Sequence, residues 1–234
     1  MPEPQPAPPR TKAAAAHERL RADLLSCAVA PGARLPVEFV CDRYGVGPTP
    51  AREALNRLAA EGLVTLAEQR GFTAAEVSAA ELTELTETRC LIEEAALRRS
   101  MQTRDPAWEE NLLLAAHRLA RTPSSAAAGT FLESPEWERQ HAAFHAALIG
   151  GTGARRIAAF CGTLNEQFRR YRALAMRSAY PDRDAHAEHE ALAREALRGE
   201  ADQAARLLGA HYRRTASIIL QSLGAPDPYA ATRA

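Results

Sequence analysis

Two histidines stand four residues apart in the segment WERQHAAFHAAL, and two more follow later in the chain. This spacing places His141 and His145 on one face of a helix, about one turn apart, where two imidazoles can bind the same metal ion. His189 and His211 each fall on a later predicted helix, so three helices could bring four ligands to one ion. The ordinary alternative is four core histidines satisfied by hydrogen bonds, and the spacing alone leaves both interpretations open.

Composition excludes several classes of protein. The 234 residues carry 29 Lys and Arg against 29 Asp and Glu, so net charge indicates neither a nucleic acid nor an anionic membrane as partner. The four cysteines are far apart and form no Cys-x-x-Cys pair, which argues against a zinc ribbon and against a redox motif. Without a long apolar stretch or a signal-peptide pattern, the sequence predicts a cytoplasmic protein that neither spans nor binds a membrane.

The histidines fall in a part of the chain that consists of long helical runs. Helices are predicted at about 79–102, 106–121, 133–149, 154–178, 184–198 and 201–222, with no strand signal among them. We expect a disordered tail at 1–11, a first domain at 12–78, a helical bundle at 79–223 and a flexible tail at 224–234. The predicted fold class is mainly α, with an all-α antiparallel bundle in the C-terminal part.

The first domain has a different pattern. Two helices, Lys12–Cys27 and Val37–Tyr44, precede a turn at Gly45, and the next helix is predicted to begin with Thr49 as N-cap and Pro50 at its first position. Two β-prone runs at 63–67 and 71–77 then flank a short turn, as in a hairpin. This order of elements predicts a winged helix-turn-helix.

The third helix of that domain carries residue types that suit DNA. Arg52 and Arg57 can bridge guanine or phosphate, and Thr49 near the helix N-terminus suits a phosphate oxygen. The alternative is that the two arginines pair with Glu53 and Glu61 on a solvated face. Spacing alone does not decide between the two.

The run PGARLPVEFVCDRYGVGPTPAREALNRLAAEGLV, followed by QRGFTAAEV, resembles the N-terminal domain of the GntR family of bacterial transcription regulators. The resemblance implies that Thr49 and Arg52 contact a palindromic DNA operator and that Arg70 with Gly71 forms the tip of the wing. One departure stands out, because Gly47-Pro48 replaces the usual Ser-Arg and removes an expected base-reading arginine.

The region 79–222 resembles the FCD domain of the FadR subgroup of that family. The segments that carry the resemblance are Arg89 to Glu93, Phe144-His145, Glu188-His189 and Ala210-His211. The resemblance implies a divalent metal held by His141, His145, His189 and His211. Because His141 stands where the family often has an aspartate, zinc or nickel is favoured over manganese or magnesium.

A histidine at that position, together with the segment Arg170-Tyr171-Arg172, resembles the CsiR-like branch. That resemblance implies a small carboxylate effector of the class of short dicarboxylates such as glutarate, with Arg89 binding one carboxylate and Arg172 the other end. The alternative for Arg89 is a salt bridge to Glu93 or Glu94 on its own helix. A homodimer on a palindromic operator is expected, since one winged helix makes too few contacts for tight binding.

The predicted function is therefore a ligand-responsive transcriptional repressor and not an enzyme. Three alternatives stay open: a purely structural metal, direct sensing of the metal, and a metal-dependent hydrolase. Hydrolysis needs a general base, and Glu188, one position from His189 on a helix, points about 100° away from it.

Overall fold

A computed structural model divides the chain into two compact units, Met1–Val77 and Ser78–Ala234. It describes residues 11–67, 71–103, 105–125, 134–179 and 183–230. The predicted wing residue Arg70, the turn before it, and the outer parts of both predicted tails lie outside the described residues. Among the helices that are described, none combines the length and the apolar character needed to cross a bilayer.

The described residues of the first unit form three helices and a hairpin, as the sequence predicted. Its elements are α1 (Lys12–Leu25), α2 (Val37–Tyr44), α3 (Pro48–Ala60), β1 (Val64–Ala67) and β2 (Gly71–Ala74). The strands are antiparallel, with Leu66 opposite Phe72. Gly45 ends α2 with a φ of 68°, a left-handed conformation that glycine adopts without steric penalty. These elements define a winged helix-turn-helix.

The predicted start of α3 was wrong by two residues. Gly47 is the N-cap in an extended conformation, and Pro48 is the first helical residue. Proline suits the first helical position because its fixed φ fits the helix and its missing N–H would have no intrahelical partner there. Thr49 therefore lies inside the first turn, where its backbone N–H has no intrahelical acceptor and remains free to bind a ligand.

The second unit is an all-α bundle, which confirms the predicted fold class. Its α-helices are α4 (Ala79–Thr103), α5 (Pro106–Ala120), α6 (Pro135–Ile149), α7 (Arg155–Ala179), α8 (Ala185–Arg198) and α9 (Ala201–Ser222). The long helix α4 packs against α9 and α7, while α8 packs against α9 and α5. Phe144, Leu192 and Leu208 belong to the shared apolar core.

Side-chain caps fix the start of the two helices that carry three of the candidate histidines. Ser134 accepts a hydrogen bond from the amide of Trp137 at the start of α6, and Asp184 accepts one from the amide of Ala187 at the start of α8. Such caps satisfy amides that have no intrahelical partner and set where the helix begins. They therefore help to set which face of each helix the histidines occupy.

The sequence predicts a flexible tail after α9, but the described part of this segment packs onto the bundle. Tyr229 is buried, and its hydroxyl lies 3.4 Å from the carbonyl oxygen of Thr83. Ser217 donates a hydrogen bond to Asp227. One aromatic side chain and two anchoring contacts thus hold the segment up to Ala230 in place.

Candidate metal centre and nucleic-acid interface

All four predicted histidines meet in the bundle. His141 and His145 lie on α6, His189 on α8 and His211 on α9, and one ligand atom from each lies within 4.8 Å of the others. These four histidines are only 3% to 7% exposed. The indole of Trp137 stacks on His141 at 4.6 Å between ring centroids, one turn before it on the same helix.

Burial sets the protonation state of this cluster. It lowers the pKa of His141, His145 and His211 well below the usual value, and that of His189 to about 3. Nearby imidazoles and arginines lower the pKa of these rings further, because a second positive charge is unfavourable in a buried site. At neutral pH the rings are uncharged, as metal binding requires.

Hydrogen bonds outside the cluster orient two of the rings. His211 Nδ1 lies 2.8 Å from Glu188 Oε2, so the ring donates to the carboxylate and Nε2 stays free. Arg183 pairs with Glu188 and holds it there. His145 Nδ1 lies 3.0 Å from the hydroxyl of Tyr212. Sequence reasoning missed Arg183 and Tyr212, and it treated Glu188 as remote, although this residue reaches the cluster through His211 on α9.

Ring nitrogens without partners point to a metal ion. Within the described part of the chain, the buried His189 Nε2 and His141 Nδ1 have no hydrogen-bond partner. His141 Nε2 and His145 Nε2 lie 3.1 Å apart and face each other. Leaving a buried ring nitrogen unpaired costs about 1–3 kcal/mol, whereas coordination would use one lone pair from each ring. The donor set fits a divalent metal ion.

Acidification is expected to destabilise the metal-free bundle. The four histidines have a lowered pKa in the folded protein. Below about pH 6.5 these four side chains therefore take up protons only in the unfolded chain. The free energy of unfolding then falls as pH falls, by about 1.4 kcal/mol per pH unit for each histidine. The chain has two tryptophans, Trp108 and Trp137, and both lie in the bundle, so their fluorescence in urea reports this unit alone.

The measurement compares pH 7.5 with pH 5.5 in the presence of a chelator. His189→Gln should lower the number of protons taken up on unfolding by about one, and so reduce the slope of the free energy of unfolding against pH. His117→Gln, which alters an exposed histidine, should not change this slope. A stability that does not change over this range would contradict the neutral, buried cluster.

Arg89 lies on α4 and is only 1% exposed. Its Nε donates to Glu93 Oε1 at 2.8 Å, so the salt bridge considered from the sequence is present. Its Cζ lies 3.9 Å from the Tyr212 ring centroid. Nη2 is buried and has no partner among the described residues, so one edge of the guanidinium remains available to an anion.

Arg172 lies near the same aromatic ring as Arg89. Its Cζ is 5.9 Å from the centroid of Phe168, and that of Arg89 is 4.9 Å from the same centroid. Arg172 Nη2 donates to Glu138 Oε2 at 2.7 Å, while its Nε is buried and unpartnered in the described residues. Each guanidinium thus keeps one carboxylate partner and one unused donor.

The exposed face of α3 carries the predicted DNA-contacting residues. Thr49, Arg52 and Arg57 are exposed and line one shallow groove. The predicted alternative in which Arg57 pairs with Glu61 does not occur, because Glu61 binds His17 and Arg21 instead. Within the described residues, Arg52 and Arg57 form no ion pair, so their charge is available to a polyanion.

A second groove joins α3 to the wing. It is lined by Arg52, by Gly71 at the start of β2, and by Arg34, whose backbone bridges to Thr73. Arg34 is exposed and has no carboxylate partner among the described residues. Sequence reasoning missed it because the bridge that brings residue 34 to the wing joins segments about forty residues apart. An exposed arginine in this groove is of the residue type that contacts DNA phosphates.

Comparison with known proteins identifies a family for each part of the chain. Residues 12–73 match the family described as bacterial regulatory proteins, gntR family, and residues 84–214 match the FCD domain. The HTH-type transcriptional regulator BphR of Paraburkholderia xenovorans is 34% identical over 88% of this chain and 84% of its own. The HTH-type transcriptional repressor GlaR of Escherichia coli is 29% identical over 87% and 94%.

Solved structures share the fold. McbR/YncC of Escherichia coli has a TM-score of 0.73 at 18% identity and covers 92% of this chain and all of its own. A GntR regulator from Rhodococcus has a TM-score of 0.67 at 22% identity, covering 93% of this chain and all of its own.

The winged helix, its arginine-bearing face and these matches define a class: a sequence-specific, DNA-binding transcription regulator with a helical C-terminal domain. The chain belongs to the GntR family and carries an FCD domain, as the sequence resemblance predicted. The matched families and relatives are regulators and not enzymes, which agrees with the expectation that this protein is not one.

Proposed function

We propose that this protein is a repressor whose FCD domain binds a divalent metal and a small dicarboxylate, and that the dicarboxylate releases the operator. The observation that carries the proposal is the buried cluster of four neutral histidines beside Arg89, whose Nη2 has no partner among the described residues. The name of the relative GlaR supports the choice of repressor over activator. Residues 12–78 form the DNA-binding head and 79–223 the effector domain.

The metal would be held by His141, His145, His189 and His211. It would supply a Lewis-acid position for one carboxylate oxygen of the effector. Imidazole ligands without a carboxylate favour zinc or nickel. Arg89 would bind the same carboxylate through its free edge, and Arg172 would bind the far end of the molecule.

Charge supports an effector with two negative charges. Four neutral imidazoles contribute no charge, and the nearby carboxylates Glu93, Glu138 and Glu188 are already paired with arginines. A divalent ion therefore adds two positive charges, and no unpaired carboxylate among the described residues around the site compensates them. Because uncompensated buried charge is costly, the site favours a dianion over a monocarboxylate.

Dimerisation follows from the number of DNA contacts that one head can make. A single winged helix buries too little surface for tight specific binding, so two heads on a palindromic operator are required. GntR regulators are commonly dimers, and the second copy brings a second set of Thr49, Arg52, Arg57, Arg70 and Gly71 to the adjacent half-site. Effector binding would shift the operator equilibrium by its differential affinity for two arrangements of the heads.

Thermal unfolding tests the proposal. Glutarate or succinate at about one hundred times its Kd should stabilise the zinc-loaded protein by about 2.7 kcal/mol, which corresponds to a rise in Tm of about 5–10 °C. The rise should disappear after chelation and in His189→Ala, and persist in His117→Ala, which removes an exposed histidine. Acetate and propionate should give smaller shifts.

The outcomes separate the remaining alternatives. Release of operator DNA by zinc alone would indicate direct sensing of the metal. A lower Tm after chelation, with a dicarboxylate response that persists in the protein still folded without metal, would indicate a purely structural metal. A dicarboxylate shift of the same size with and without zinc would contradict the proposed site.

A further inference from the structure

A chain of buried hydrogen bonds connects one histidine of the cluster to Arg89. His145 Nδ1 lies 3.0 Å from the hydroxyl oxygen of Tyr212, and that hydroxyl lies 2.5 Å from Glu93 Oε2. The other oxygen of Glu93 accepts from Arg89 Nε at 2.8 Å. All four residues are at most 3% exposed, so water does not compete for these contacts.

The chemistry of the groups fixes the direction of this chain when a metal is bound. A neutral His145 that coordinates through Nε2 carries its proton on Nδ1 and donates it to the Tyr212 oxygen. The phenol has one proton of its own, which it then donates to Glu93. Glu93 therefore accepts from Tyr212 on one oxygen and from Arg89 on the other. Its negative charge strengthens both hydrogen bonds.

We infer that Tyr212 is a positioning residue that connects the metal ligand His145 to Glu93, so that metal retention and the orientation of Arg89 depend on one buried hydroxyl. The inference rests on the proposed metal site and extends it to residues that touch neither metal nor effector. The hydroxyl holds the imidazole in the tautomer and orientation that coordination needs. Outer partners of this kind typically contribute 10- to 100-fold to metal affinity.

The proposed role belongs to the hydroxyl of Tyr212 and not to its aromatic ring. The ring of Tyr212 packs against the Arg89 guanidinium at 3.9 Å, and phenylalanine would keep this contact. The bundle also contains a matched control in Tyr171, a buried tyrosine whose hydroxyl donates to Glu81 at 2.6 Å. Both tyrosines donate to a glutamate, but only Tyr212 also contacts a histidine of the cluster.

The test is zinc affinity of the full-length chain, measured by competition with a chromophoric chelator. Tyr212→Phe is expected to weaken zinc binding by about 10- to 100-fold, and Tyr171→Phe by less than about threefold. With cobalt(II) in place of zinc, the visible spectrum of Tyr212→Phe should differ from that of the wild type, because one ligand is no longer held in place. Equal affinities and identical spectra in the two variants would overturn the inference.

A second substitution, Glu93→Gln, tests the same connection one hydrogen bond further from His145. Glu93→Gln leaves the histidines untouched but weakens the acceptor of the phenol proton, so zinc affinity should fall by about 3- to 10-fold. In the double variant Tyr212→Phe/Glu93→Gln, the glutamine should have no further effect, because the connection is already broken. Additive effects of the two changes would overturn the inference. Should Tyr212→Phe fail to fold, an unchanged zinc affinity in Glu93→Gln would also overturn it.

The same titration separates this inference from the proposed function. A wild-type protein that binds no zinc refutes the metal site itself. A wild-type protein that binds zinc, with a Tyr212→Phe variant that binds it equally well, refutes only the role of the hydroxyl.

Discussion

Arg89→Ala is expected to lower the free energy of unfolding of the bundle by about 3–5 kcal/mol and to abolish the dicarboxylate response. The loss of stability arises because Glu93, which is 2% exposed, would keep its buried charge after losing the arginine that pairs with it. The loss of response arises because the free Nη2 edge, where the effector carboxylate is proposed to bind, is gone. Urea unfolding followed by tryptophan fluorescence gives the first quantity, and glutarate-induced release of operator DNA gives the second.

Two further variants separate stability from response. Arg89→Met/Glu93→Gln removes both charges and keeps an acceptor for Tyr212, so most of the stability should return while the response stays absent. Arg98→Ala removes a partly exposed arginine of the same helix, paired with Glu94 and Asp202, and should change stability by less than about 1 kcal/mol. A normal glutarate response in Arg89→Met/Glu93→Gln would rule out the proposed effector contact.

Arg52→Ala should give the largest loss of operator affinity among substitutions on α3. A bidentate contact between arginine and guanine supplies about 1–3 kcal/mol of discrimination, and the proposed dimer makes it twice. The Kd for an operator selected from random DNA should rise by about 30-fold or more at fixed salt. Fluorescence anisotropy with labelled DNA measures this, and binding to unrelated DNA should change much less.

Arg43→Ala is the control in the same unit. Arg43 lies on α2 and pairs with Asp23 on α1, away from both grooves that Arg52 lines. Its removal should change operator affinity by less than about twofold. If Arg52→Ala weakens operator and unrelated DNA equally and lowers the salt slope by about one ion, Arg52 binds phosphate and does not read bases.

The sequence predicted the larger elements well because each has a local physical signal. The two histidines on α6 were predicted to share a face from their spacing of four, and the glycine after α2 marked its end. The start of α3 was predicted wrongly because two prolines, Pro48 and Pro50, both suit the first turn. Local preference does not choose between them, whereas packing of the finished helix does.

The contacts around the cluster could not be predicted, because they join residues far apart in the chain. Glu188 points away from His189 on its own helix and binds His211 on another, a pairing that depends on how α8 and α9 pack. Tyr212 follows His211 directly, yet its hydroxyl contacts His145 and Glu93, which are 67 and 119 residues away. Helical spacing shows which residues share a face but not which face of another helix they meet.

Burial of the cluster has a kinetic consequence. With its histidines no more than 7% exposed, a bound ion could leave only when the helices separate locally. The exchange rate would then depend on the free energy of that opening rather than on ligand affinity alone. The protein would keep the metal present when it folded, so the ion found after purification would report metal availability during synthesis.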